Sequence, residues 1–309
     1  MWKPDCRTKK HLVYEQRGSA TLLTILSMLG LLAIAGLAID GGSLYMMKSH
    51  LQKTANAAAL SGAQELTNSE TAVRNVVQRI VNDHREQESL REVNITMRNR
   101  VNVRLEKEIP LTFMSIFGWS STPVRVSATA EIGTMGRAHG AAPLGIDESI
   151  QLEFYKNYEL KVDETGVDTG NFGVLALGGG GAKTYEDNLI HGYQNEVKVN
   201  DIIPTQTGNI AGKTRVGVNA RITACPYLKG ETHYRDCPRV ILIPVYQPHN
   251  HNQNQMKEIK VKGFAYFYIL DPMNGNDKTI KGMFIQRAGV GFVDPSLVDK
   301  GAYSIRLTE

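Results

Sequence analysis

The sequence predicts an α+β protein with an N-terminal membrane helix, and three observations lead to this fold class. A segment without charged residues near the N-terminus is long enough to span a bilayer. A helical pattern of small apolar residues follows it. The rest of the chain alternates helix and strand patterns, and strands dominate toward the C-terminus. The length of 309 residues allows two or three domains that each bury a core.

The membrane segment comprises residues 18–39, which include no charged side chain. At 1.5 Å per residue, a helix of this length extends about 30 Å, the thickness of a bilayer's hydrocarbon core. Residues 1–17 carry five basic and two acidic side chains. The positive-inside rule therefore places this tail in the cytoplasm and everything from Asp40 onward outside. The alternative is a cleavable signal peptide with small residues near Ala33 and Ala35; both interpretations export the chain.

The charge of the rest of the chain is nearly balanced, with 30 basic and 29 acidic side chains after residue 17. Nucleic acid is therefore not an expected partner, because its binding needs a strong positive field. The composition, with 42% hydrophobic and 21% charged residues, excludes wholesale disorder and a polytopic membrane protein.

A second helical segment, residues 40–66, is expected to continue the membrane helix outward. Its apolar residues recur at steps of three and four, from Leu44 to Leu66. One face of its second half consists of small residues, which allow another helix to approach closely. These residues are Ala55, Ala58, Ala59, Gly62 and Ala63. The face is expected to pack either on its own domain or against another molecule, which leaves a homo-oligomer open.

Three features of residues 16–66 form a family pattern. They are the basic tail ending at Arg17-Gly18, the apolar helix closing on Ala38-Ile39-Asp40, and LQKTANAAALSGA at residues 51–63. Together they resemble the TadE/TadG-like N-terminal region of Flp (Tad) pilus-assembly proteins. Weaker similarity to longer TadG-like chains continues at residues 117–120, 170–173 and 262–265. The resemblance implies a membrane-anchored component of a bacterial tight-adherence pilus system, with no catalytic residue to transfer.

Two departures from related patterns narrow this expectation. Prepilins of this pathway are cut after a glycine that is followed, five positions on, by an acidic residue, but Leu23 stands at that distance from Gly18. Prepilin-type processing is therefore not predicted. Many TadG-like chains also carry a metal-binding Asp-x-Ser-x-Ser motif, which does not occur here.

Residues 67–132 are predicted to form a small α/β module. A capping box at Thr67 and Glu70 should open an amphipathic helix that ends near residue 88. Two alternating strands should then turn near Asn99, and a short helix after Pro110 should end at Gly118 before a third strand. That short helix is expected to point Phe113, Met114 and Phe117 inward. Residues 133–145 contain several glycines and a proline, and are predicted to be a linker.

Residues 146–309 are predicted to form a β-rich outer domain with two helices. The helices are expected near residues 184–193 and 211–223. Alternating or β-branched runs predict strands at 174–177, 197–203, 240–246, 261–270 and 280–285.

The exported cysteines Cys225 and Cys237 form the clearest candidate site in this domain. Topology pairs them and leaves Cys6 in the cytoplasm, so we predict a disulfide in an oxidising compartment. The alternatives are two buried thiols, or a zinc site completed by His233, although the close Cys-x-x-Cys pair of such sites is missing.

Other candidate motifs of the outer domain fit their chemistry poorly. The glycine-rich segments 178–184 and 208–214 depart from the spacing of a phosphate-binding loop. His249 and His251 lie in a polar run that predicts a solvated loop. No catalytic motif is recognised, so no catalytic residue, cofactor or metal ligand is predicted.

The function predicted from these features is a non-enzymatic structural or assembly component of a Flp/Tad pilus. It would span the bacterial cell membrane once, and its partners would be the lipid bilayer and other pilus-assembly or pilin-like proteins. The alternatives are an envelope hydrolase or an extracellular ligand-binding module that uses residues 146–309.

Overall fold

The computed structural model describes residues 17–161, 172–206, 210–252 and 255–308. The predicted α+β class is confirmed: a long apolar helix is followed by two curled mixed β-sheets with short helices. Contacts divide the chain into two units. Unit 1 comprises Met1–His50 and Glu106–Arg125, and unit 2 comprises Leu51–Leu105 and Val126–Glu309.

Unit 1 is built on the first part of helix α1, Arg17–Ala63, which continues unbroken into unit 2. At 47 residues, α1 is about 70 Å long. Every leucine, isoleucine and methionine between residues 21 and 39 is more than half exposed to solvent. Within the described residues, α1 is the one helix long and apolar enough to cross a membrane.

The rest of unit 1 is the end of strand β2 (Arg100–Pro110), the loop after it, and the start of strand β3 (Ser121–Ala138). This loop contains a short 3-10 helix, Met114–Phe117, where the sequence predicts a helix. The prediction that Phe117 points inward is wrong, because its side chain is 72% exposed. Phe113 and Met114 are only partly buried.

Unit 2 contains helix α2 (Glu70–Asp83), which follows α1 after a short turn. The predicted capping box at Thr67 is wrong, since the N-cap is Ser69, whose hydroxyl accepts a hydrogen bond from the Ala72 N–H at 3.2 Å. The helix also ends earlier than predicted. Arg85 takes a left-handed backbone conformation with φ of 59°, and residues 87–89 form a separate 3-10 turn.

The first sheet has the strand order β1 (Leu90–Thr96), β2, β3, β14 (Ala302–Leu307) and β12 (Arg287–Gly289). Two further strands, β7 (Val197–Lys198) and β13 (Phe292–Val293), pair with β3. Strand β3 therefore extends to Ala138, six residues into the predicted linker 133–145. The strands that pair with this extension come from later in the chain, so no local sequence pattern predicts the pairing.

The second sheet follows the order β5 (Asn157–Lys161), β11 (Thr279–Ile285), β10 (Gln255–Ile269), β9 (Val240–Asn252), β4 (Leu144–Asp147) and β6 (Phe172–Val174). Strand β8 (Ile202–Pro204) pairs with β10. The β9–β10 hairpin extends to residue 252, so His249 and His251 belong to a strand, and the prediction of a loop there is wrong.

The core of unit 2 lies on both faces of the second sheet. On one face, Ile243 of β9 belongs to a cluster with Leu189 of helix α3 (Ala182–His191) and Val218 of helix α4 (Ala211–Ala224). On the other face, Tyr246 of β9 clusters with Met135 of β3. This alternation along β9 is the period of two that buries a sheet between two layers.

Candidate functional site

The loop between β2 and β3 is fastened to α1 by one carboxylate. Asp40 accepts backbone N–H bonds from Thr112, Phe113 and Met114, each at 2.9 Å. The carboxylate thus satisfies the donors at the start of the 3-10 turn, as an N-cap side chain does at a helix. Asp40 is 5% exposed, although it lies on a helix whose preceding side chains are almost all exposed.

The small-residue face of α1 is covered by its own chain. Four of its members, Ala55, Ala58, Ala59 and Ala63, are fully buried, and Gly62 is buried as well. A Cβ added at Gly62 would lie 2.7 Å from Val77 Cγ2 of α2. The structure thus supports the alternative in which this face packs within its own domain.

The C-terminal end of α1 is held by Arg235, which lies in the segment closed by the two cysteines. Its Nε contacts Glu65 Oε1 at 3.1 Å, and another guanidinium nitrogen donates to the Gln64 carbonyl. A third nitrogen donates to the Ala288 carbonyl of β12 at 2.8 Å. One side chain therefore joins the helix, the cysteine-bounded segment and the first sheet.

A second arginine, Arg287, holds the same segment from the other side. It is 9% exposed and donates to the Thr232 and Tyr234 carbonyls at 3.3 and 3.1 Å. Burial lowers the pKa of Arg287 below its ordinary value, and the nearby charge of Arg235 lowers it further. We call Arg235 and Arg287 the arginine clamp.

The clamped segment, residues 225–237, is closed at its base by a disulfide between Cys225 and Cys237, whose Cα atoms are 5.1 Å apart. Within it, the rings of Tyr227 and Tyr234 stack with centroids 3.7 Å apart. The Tyr227 hydroxyl donates to the Asp236 carboxylate, and this hydrogen bond is the main cause of a raised pKa of Tyr227. The segment is therefore internally ordered as well as clamped.

A third arginine, Arg221 of α4, fixes the residue that follows the segment. Its guanidinium donates to the Pro238 carbonyl at 2.8 Å and to the Leu189 carbonyl. Burial lowers the pKa of Arg221 to about 10. These are charge-assisted hydrogen bonds to backbone acceptors, which are suited to fixing a loop.

A shallow cleft lies beside the clamp. Its lining includes Glu65 and Asn68 from the turn after α1, Tyr155, and His233 with Arg235. Glu65 forms an ion pair with Arg235, and the His233 ring contacts the Tyr234 ring at a tilt, with centroids 4.1 Å apart. The polar groups described here bind one another and the backbone. Such contacts hold parts of the chain together.

Two protein-family models match the N-terminal part of the chain, within residues 18–130. Residues 18–65 match the family model described as Flp pilus-assembly TadE/G-like, and residues 42–130 match the one described as Tad-like Flp pilus-assembly. Residues 18–130 are therefore similar to the TadE/G-like family of Flp pilus-assembly proteins. The resemblance predicted on residues 16–66 is therefore confirmed. No curated protein and no solved structure matches the chain.

The Tad region, residues 18–130, thus comprises α1 from its second residue, α2, β1, β2 and the first half of β3. Arg235 binds this region at Gln64 and Glu65. The clamp therefore attaches the Tad region to the part of the chain that follows it.

The other motifs considered from the sequence take ordinary structural places. The glycines at 178–181 form the turn before α3, where the Gly181 N–H donates to Gln206 Oε1 at 3.0 Å. Lys213 pairs with Glu186 at 2.5 Å, and residues 207–209 of the second glycine segment lie outside the described residues. Over the described ranges, no group of three or more His, Cys, Asp or Glu side chains is placed to hold a metal ion.

Asp40, Gly36 and the two clamp arginines were not among the residues predicted to be important. Asp40 had a signal, because a carboxylate that directly follows an uncharged apolar segment needs partners, but the partner loop lies more than 70 residues away. The clamp arginines bind backbone carbonyls of distant residues. Every residue has a backbone carbonyl, so the sequence does not show which of them an arginine will bind.

Proposed function

We propose that the chain is a membrane-anchored structural or assembly component of a Flp/Tad-type pilus system that acts by protein packing outside the membrane. The observation that carries the proposal is the Tad region built on an apolar helix of spanning length. The family models that match the chain are described as Flp pilus-assembly. The apolar helix would attach the protein to the cell membrane.

The anchor follows from the surface of α1. Its large apolar side chains between Leu22 and Ile39 are exposed in the structure, whereas Leu51 of the same helix is fully buried. An apolar surface of this extent is unfavourable in water and favourable in a bilayer. The basic tail before residue 18 orients the helix with its N-terminus in the cytoplasm, so that the chain spans the membrane once.

The contacts within unit 2 support a function in protein packing. The small-residue face brings α2 against α1, and the arginine clamp holds the end of α1 to the disulfide-closed segment. A pilus protein bound on unit 2 would therefore be connected to the membrane helix through α1 itself, which is continuous from Arg17 to Ala63.

Cross-linking in intact native cells tests this proposal. The full chain with a C-terminal affinity tag is treated with a short amine-reactive cross-linker, isolated in detergent and analysed by mass spectrometry. We expect adducts enriched in other proteins of the pilus system. The matched control is an unrelated single-pass membrane protein with the same tag at the same abundance. The same set of adducts for both proteins would overturn the proposal.

A further inference from the structure

The loop Leu111–Ser120 in unit 1 presents an apolar tip to its surroundings. Ile116 is 78% exposed, Phe117 72% and Trp119 64%. Gly118, with φ of 90°, makes the turn between them, and the Trp119 N–H donates to the Met114 carbonyl at 3.1 Å. The tip is thus a hydrogen-bonded turn that holds three large apolar side chains outward.

The sequence around the tip lacks charge. The sixteen consecutive residues between Glu108 and Arg125 include no acidic or basic side chain. A solvent-exposed segment of this length usually contains charged or strongly polar residues, and an exposed apolar patch marks an interaction site. The composition therefore favours an apolar partner over water.

The position of the loop along α1 identifies that partner. Asp40, which holds the loop, is the first residue after the uncharged segment 18–39. One helical turn earlier, a Cβ added at Gly36 would lie 2.6 Å from Phe113 Cβ. The loop therefore contacts α1 at Gly36 and at Asp40, just before and just after Ile39, the last residue of the apolar segment.

We propose that the tip of this loop is a second membrane contact, with Ile116, Phe117 and Trp119 in the outer interface of the bilayer that α1 crosses. The proposal rests on the proposed anchor. Aromatic side chains, Trp above all, favour the headgroup level, where the ring contacts acyl chains while its N–H reaches water or lipid oxygen. Asp40 and Gly36 are the positioning residues, because one binds the loop and the other leaves room for Phe113.

Tryptophan fluorescence of the full chain in phosphatidylcholine vesicles tests the contact. With Trp2 replaced by phenylalanine, Trp119 is the single tryptophan of the sequence. We expect a blue-shifted emission that is quenched by lipids brominated near the headgroup and protected from aqueous acrylamide. Emission typical of water with full acrylamide quenching would overturn the proposal. A blue shift without bromolipid quenching would also overturn it, because a protein would then cover the tip.

A second reporter separates this contact from the anchor. Leu29→Trp, in a chain with both natural tryptophans replaced by phenylalanine, places the probe in the middle of the apolar segment. Quenching of this probe by lipids brominated deep in the chain, with no quenching of Trp119, would reject the loop contact alone. Absence of quenching at both probes would reject the anchor as well.

Two glycines of α1 give a matched pair for the positioning step. Gly36→Leu drives bulk into Phe113, whereas a Cβ at Gly30 meets nothing within 4 Å. We expect Gly36→Leu to abolish headgroup-level quenching of Trp119 and Gly30→Leu to retain it. Equal quenching in the two variants would show that the loop does not depend on its seat at Gly36, and would overturn the positioning role.

Discussion

At the scale of single residues, glycines determine where α1 can be approached. Gly36 admits Phe113 and Gly62 admits Val77, while Gly30, Gly41 and Gly42 have open space around them. The helix therefore carries two kinds of glycine that composition alone cannot separate. The two with close neighbours mark the places where the chain packs on its own helix.

The first prediction concerns Gly62. Gly62→Ala puts a Cβ 2.7 Å from Val77 Cγ2, and overpacking of this kind costs about 1–3 kcal/mol. The helix propensity of alanine offsets only about 0.5–1 kcal/mol of that cost. We therefore expect a lower midpoint of thermal unfolding for the full chain in detergent.

Gly212→Ala in α4 is the matched control, because a Cβ there meets nothing within 4 Å. Its midpoint should be unchanged or slightly raised. Equal midpoints for Gly62→Ala and the unmodified chain would contradict burial of the small-residue face within its own domain, and would return that face to the role of an intermolecular surface.

Single residues with a local role were not all assigned correctly from the sequence. The small-residue face and the pair Cys225 and Cys237 were identified from spacing and topology. The N-cap was assigned to Thr67, because a capping box pattern is also present there, whereas Ser69 is the residue with the extended backbone that a cap requires.

At the scale of elements, the disulfide-closed segment 225–237 connects several parts of unit 2. It has no helix or strand of its own, and its order comes from the disulfide, the stacked tyrosines and the arginine clamp. The segment contacts the end of α1 through Arg235 and the first sheet through the Ala288 carbonyl.

The second prediction is that removing this disulfide loosens the segment. The two cysteines are 12 residues apart in sequence, and closing a loop of similar length contributes about 3 kcal/mol by restricting the unfolded chain. The double variant Cys225→Ser, Cys237→Ser should therefore unfold at a lower temperature than the full chain. The readout is thermal unfolding in detergent without reductant.

Cys6→Ser is the control for this experiment and should leave the midpoint unchanged. Thiol alkylation of protein from intact cells gives an independent check. Before reduction only Cys6 should react, and after reduction all three cysteines should react. Three reactive thiols before reduction would disprove the disulfide.

Elements with a local pattern were predicted closely. Helices α3 and α4 lie within two residues of their expected bounds. Two strands extend beyond their predicted ends because partner strands pair with the extra residues. Polar residues 247–252 belong to β9 because β10 pairs with them, and residues 133–138 belong to β3 because β7, β13 and β14 do.

At the scale of the whole molecule, the α+β class and the apolar helix followed from composition and periodicity. The two sheets did not, since β12 and β14 return to pair with a sheet begun some 200 residues earlier. The separate α/β module predicted for residues 67–132 therefore shares its sheet with the C-terminal part of the chain. Non-local pairing of this kind is set by packing, which local patterns do not encode.

The third prediction is the orientation in the membrane. In a Cys6→Ser chain, Lys10→Cys should resist a membrane-impermeant maleimide in intact cells, and Ser149→Cys, which is exposed in the structure, should react. After permeabilisation both should react. Reaction at residue 10 in intact cells would reverse the topology, and absence of reaction there after permeabilisation would show that the N-terminal segment had been removed.

The most direct test of the central claim is pilus display by native cells that lack this chain. We expect loss of surface pili on deletion, rescue by the full chain, and no rescue by residues 43–309 exported with an unrelated cleavable signal peptide. Electron microscopy counts the pili, and immunoblots establish equal abundance of the two chains. Normal piliation of the deletion strain, or full rescue by the unanchored chain, would contradict a membrane-anchored pilus component.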